Sequence, residues 1–87
     1  PVVILANQPT RGLDVGAVAY VHGRLLEARA RGAAILLISE DLDEILALSD
    51  EVLVMFQGRL SAPSQRGERS IRDLGELMAG HGLEEAA

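Results

Sequence analysis

Polar residues end two apolar runs of this chain: Asn7-Gln8 follows Val2 to Leu5, and Ser39-Glu40-Asp41 follows Ala33 to Ile38. If both runs are parallel strands, the polar residues stand just beyond their carboxyl ends, where open α/β sheets bind ligands. Amides there can hold a water or a ligand by hydrogen bonds, and carboxylates can accept protons or hydrogen bonds. Parallel strands commonly end in polar residues, so neither cluster alone marks a site. Either can simply satisfy the backbone of its own loop. The oddity is the pair of amides, since many α/β proteins place two carboxylates at this point.

The elements that would position these groups follow from apolar spacing. Val2 to Leu5 is continuous, β-branched and bounded by prolines, the pattern of a parallel strand covered on both faces. Asp14 is placed to cap a helix carrying Val18, Val21, Leu25 and Ala28 on one side, with Gly32 as its stop. Ala33 to Ile38 reads as a second parallel strand. Asp41 and Glu44 have the spacing of an N-cap and its capping-box partner, opening a short helix through Leu48. Val52 to Gln57 is expected as a third strand, and Gly58-Arg59 turns it back into Leu60-Ser61-Ala62. The stretch from Ala62 to Arg69 reads as a loop. Ile71, Leu74, Leu77 and Met78 mark a last amphipathic helix, with Gly80 and Gly82 ending it. Strand, helix, strand, helix, strand is the alternation of an α/β domain, with right-handed crossovers expected.

Composition narrows the function classes. A chain of 87 residues is one small domain at most and buries about 60–65% of the surface it exposes when unfolded, so its core is marginal. Without cysteine there is neither a disulfide framework nor a thiolate metal site. Acidic residues outnumber basic ones, 13 to 8, for a net charge of -5, which argues against nucleic acid as a partner. The apolar runs are too short to cross a bilayer, and the first residues lack the features of a signal peptide, so a cytosolic chain is expected. It starts without methionine inside a strand-like run, as a piece of a longer polypeptide would.

Read together, the segments resemble the C-terminal portion of the ATP-binding cassette (ABC) nucleotide-binding domain, a P-loop NTPase fold. The branch is that of importers of sugars and nucleosides, in which two such domains are fused. P-V-V-I-L-A-N-Q-P-T-R-G-L-D-V-G-A resembles the family's Walker B strand and D-loop. L-L-I-S-E-D-L-D-E-I-L-A-L-S-D-E-V-L-V-M-F-Q-G-R-L resembles the H-loop strand, its helix and a hairpin, and L-G-E-L-M-A-G resembles the nucleoside-importer tail. The resemblance implies a Walker B to H-loop part over residues 1–62 and a loop with a helical tail over 63–87.

The functional positions are where the chain departs from the family. Asn7 stands at the Walker B aspartate, which holds hydrated Mg²⁺; Gln8 stands at the catalytic glutamate; Glu40 replaces the histidine that touches the γ-phosphate. Asp14 falls at the D-loop position, facing the opposite domain in the family. A glutamine can position water but accepts no proton at neutral pH, which forfeits general-base help of about 10²- to 10⁴-fold. Asn7 offers an amide oxygen without the charge a hard cation favours. A carboxylate about 4 Å from a phosphate oxygen is repelled by about 4 kcal/mol at a surface-like dielectric, so Glu40 is the most damaging change.

The expectation is thus a degenerate second nucleotide-binding domain of an ABC importer's ATP-binding subunit. ATP and Mg²⁺ would bind only in the complete protein, at an interface with the other nucleotide-binding domain, with little hydrolysis at this site. The resemblance further implies transmembrane permease subunits as partners and a peripheral location on the cytoplasmic face of the membrane. The parent would be a transport-coupled ATPase. The 87 residues contain neither G-x-x-x-x-G-K-[ST] nor Ser-Gly-Gly-Gln, so this stretch alone is expected to be inactive. The rival readings are a non-catalytic α/β regulatory or interaction module, and a small phosphate-binding hydrolase, which would need a Gly-rich loop after a strand. His22 and His81 have no partner at metal-ligand spacing and read as solvated. Asp41, Asp43 and Glu44 read as acids at a helix N-terminus.

Overall fold

The computed structural model describes residues 2–81. The chain divides into two compact units, Pro1–Leu48 and Ser49–Ala87. In the first, β1 (Val3–Asn7), α1 (Val15–Ala30) and β2 (Ala34–Ile38) form a β-α-β unit, followed by α2 (Leu42–Leu48). β1 and β2 pair in parallel from Val3↔Ala34 to Asn7↔Ile38. Asp14 caps α1 as its spacing implies, its Oδ1 accepting from the Ala17 amide at 2.8 Å.

Burial along β1 and β2 alternates. Ile4, Ala6, Ile35 and Leu37 point to the better covered face, and Val18, Val21, Leu25 and Ala28 are the half-buried stripe of α1. Val3, Leu5, Leu36 and Ile38 on the other face are exposed, Val3 by 78%. The sequence implies strands covered on both faces, and this chain covers only one. The expectation fails because an apolar run shows what a strand needs, not which segment supplies it.

In the second unit, Val52 to Gln57 is two short strands, not one. β3 (Glu51–Val52) pairs antiparallel with β6 (Ser64–Gln65), and β4 (Met55–Phe56) pairs antiparallel with β5 (Arg59–Leu60). Ser61 separates the two ladders. Its hydroxyl accepts from the Val54 amide at 2.8 Å, and its own amide donates to the Val54 carbonyl at 2.7 Å. The expected hairpin forms, but it turns at Gln57 (φ 49) and Gly58 (φ 79) instead of Gly58-Arg59, both left-handed as a two-residue type I′ turn requires, and Arg59 already belongs to β5. The expected loop from Ala62 to Arg69 contains β6. The last helix, α3 (Ile71–Met78), starts with a capping box between Ser70 and Asp73. It buries Leu74 and Leu77 with Val52 and Val54, while Ile71 and Met78 are exposed. Gly80 follows the helix; Gly82 lies outside the described residues.

Candidate functional site

The turn after β1 begins with a strained residue. Gln8 has φ 50, a left-handed backbone that costs a non-glycine residue about 1 kcal/mol. Its amide donates to the Ile38 carbonyl at 2.7 Å, which continues the β1–β2 ladder and turns the chain toward the end of β2. There the Gln8 side-chain oxygen accepts from the Glu40 amide at 3.3 Å. Gln8 and Glu40 share a cleft of about 270 Å³ with Thr10, Arg11, Ser39, Asp41 and Glu44.

Asn7 and Asp14 are not among the residues lining that cleft. Alternation along β1 places Asn7 on the exposed face with Val3 and Leu5, opposite buried Ala6. Asp14 is exposed and occupied as the cap of α1. Of the positions that the sequence singles out, the fold brings Gln8 and Glu40 together and sets Asn7 and Asp14 apart.

The most buried polar group of this unit is one the sequence reading passed over. Glu44 is 4% exposed, and one oxygen, Oε2, takes the Thr10 hydroxyl at 2.6 Å and His22 Nε2 at 2.7 Å. Burial by itself raises a carboxyl pKa. Hydrogen bonds from Ser39, Thr10 and His22, with the attraction of the His22 ring, outweigh that and hold Glu44 below its ordinary value. Glu44 is therefore not the capping-box partner of Asp41. Asp41 Oδ1 alone caps α2, accepting from the amides of Asp43 at 3.0 Å and Glu44 at 3.3 Å, while the Glu44 side chain turns inward. Nor is His22 solvated. Its side chain is 20% exposed and bound to Glu44, a contact across 22 residues that local spacing does not signal.

The cleft is a poor cradle for a triphosphate and its cation. Glu40, Asp41 and Glu44 face it against the single guanidinium of Arg11. The Gln8 carbonyl is engaged by a backbone amide, and Glu44 by Thr10 and His22. Among the described residues no cluster of His, Cys, Asp and Glu is arranged to hold a metal ion.

The fold is that of an ATP-binding cassette ATPase in part. It matches the ATP-binding cassette of an ABC transporter solved in its ADP conformation with a TM-score of 0.67 and 24% identity, over 99% of this chain and 32% of that one. In sequence the chain is similar to the ATP-binding proteins of sugar and nucleoside ABC importers. It is 49% identical over 86 residues to the guanosine import ATP-binding protein NupO of Bacillus subtilis, and 44% identical over 85 residues to the nucleoside import protein NupA of Lactococcus lactis. It is 41% identical over 80 residues to a ribose import protein RbsA of Clostridium perfringens. These matches cover 99%, 98% and 92% of this chain, which spans only about a sixth of each relative, 16–17% of its length. No model of a known protein family matches the chain.

Proposed function

We propose that the chain is part of a degenerate second nucleotide-binding domain in an ABC importer of sugars or nucleosides. The supporting observation is that Gln8 and Glu40, at the family's catalytic-glutamate and histidine positions, meet at one cleft through the Glu40 amide and the Gln8 side-chain oxygen. The groups that meet there are an amide without useful basicity and a carboxylate that repels phosphate. Nucleotide at this interface would join two domains with little hydrolysis, and turnover would rest on the other site. The whole protein would then be a transport-coupled ATPase that takes ATP and Mg²⁺, docked on transmembrane permease subunits at the cytoplasmic face. No described helix is long and apolar enough to cross a membrane.

The test is reversion in the full-length ATP-binding protein: Asn7→Asp, Gln8→Glu and Glu40→His together. Nucleotide affinity should rise, and turnover at this site should gain on the order of 10²-fold or more once a general base is restored. A second reading, a non-catalytic interaction module, is favoured by the absence of Asn7 from the lining of the cleft and by the engagement of Gln8 with backbone. Unchanged affinity and turnover in the triple revertant would establish that module instead.

A further inference from the structure

We propose that Glu44 is a positioning residue for the cleft: by holding Thr10 and His22 on one carboxylate oxygen, it fixes the turn after β1 so that the Gln8 side chain stays on the Glu40 amide. The geometry is that of a three-way tie. Thr10 lies in the turn two residues after Gln8, His22 lies in the middle of α1, and Glu44 lies in the first turn of α2. Their meeting point is the Glu44 Oε2 atom, at 2.6 Å from the Thr10 hydroxyl and 2.7 Å from His22 Nε2.

Two features make this a device for placement beyond ordinary packing. Gln8 adopts a left-handed backbone that it would leave if the turn were free, and the tie acts on that same turn. The contact it would preserve is long, 3.3 Å, and exposed, so little in its own strength holds it. The charged and titratable groups around Glu44 are His22 from α1, Arg11 from the turn, and Glu40 and Asp41 from the β2–α2 connection. Thr10 and His22 bond the carboxylate itself. The importance of this placement for nucleotide rests on the proposed function above, whereas the tie itself is read without any nucleotide.

The experiment is NMR on the 87-residue chain with Thr10→Val and Thr10→Ser. Valine keeps the shape and removes the donor; serine keeps the donor. The expected result is loss of the cross-peaks between the Gln8 side-chain amide and the Glu40 backbone amide in Thr10→Val. They should return in Thr10→Ser, with the Ile4–Ile35 sheet contacts intact in both. A Thr10→Val chain that keeps the Gln8–Glu40 cross-peaks overturns the proposal, as does a serine variant that behaves like valine. Should Thr10→Val fail to fold, an acid titration of the unaltered chain decides. The Gln8–Glu40 contact should be lost together with protonation of Glu44, before the sheet contacts go; survival of the contact after Glu44 has protonated overturns the proposal. A failed triple reversion with an intact Thr10 result would remove the nucleotide reading and leave the tie standing.

Discussion

His22 Nε2 lies 2.7 Å from Glu44 Oε2, and this bond fixes where the imidazole proton sits. An ionised carboxylate only accepts, so Nε2 carries the proton whether the ring is neutral or charged. The pair also joins α1 to α2, two helices whose sequences show no sign of one another. Truncating Glu44 to alanine leaves Thr10 and His22 without their shared acceptor and should cost about 1–3 kcal/mol in chemical unfolding.

Acid should undo this contribution. Glu44 is held below its ordinary pKa of 4.5 in the folded chain, so the unfolded chain binds its proton first as pH falls. Its stabilising contribution is fully present above 4.5 and is lost as pH drops through the lower folded value. Unfolding curves of the parent and of Glu44→Gln should therefore converge as pH falls below 4.5. A gap that stays constant through that range would show that the carboxylate's ionisation is not what matters.

Gly80 and Gly75 should respond oppositely to alanine. A methyl built on Gly80 would stand 2.6 Å from Phe56 Cε2, and the backbone there is left-handed, φ 92. Gly80→Ala should lower stability by about 1–3 kcal/mol, since the phenyl ring must move and the backbone is strained. Gly75 lies inside α3 with nothing within 4 Å of its added carbon. Gly75→Ala should raise stability by about 0.5–1 kcal/mol. Urea midpoints of the two variants moving the same way would contradict the placement of Phe56.

The two faces of burial give another contrast. Leu74 is 2% exposed, and Leu74→Ala should cost about 2–5 kcal/mol. Leu36 is 58% exposed on the uncovered sheet face, and Leu36→Thr should stay within about 0.5 kcal/mol. A large loss from Leu36→Thr in this chain would mean that the face is covered.

Much of the fold is legible in the sequence. The cap at Asp14, the stripe of α1, the apolar strand runs, a hairpin at Gly58 and the last helix follow from spacing and turn chemistry, because each depends on neighbours a few residues away; the hairpin turns one residue earlier than Gly58-Arg59 implies. The split of Val52 to Gln57 is not legible, because it depends on Ser61 coming back to bond both backbone groups of Val54. An unbroken apolar run gives no sign that its pairing partner changes midway. The cleft is half legible for a similar reason. Strand-end reasoning finds Gln8 and Glu40, while Asn7, exposed at the end of β1, does not line the cleft they share. Thr10, His22 and Glu44 pass as a loop hydroxyl, a solvated ring and a helix-start acid, since 34 residues separate the first from the last.

The Gln57-Gly58 turn also sets an order of events. Its left-handed pair brings Met55 onto Leu60 with almost no chain to close, and hairpins of this kind form in about 1–10 µs. Val3 must find Ala34 across the whole of α1, a search whose entropy is spent before any ladder bond repays it. Pulse-labelled amide exchange should thus protect Ser61, whose amide bonds the Val54 carbonyl, earlier than Gln8 and Ala34, whose amides bond Ile38 and Val2 across the parallel pair. The chain would acquire its structure from the carboxyl half backward.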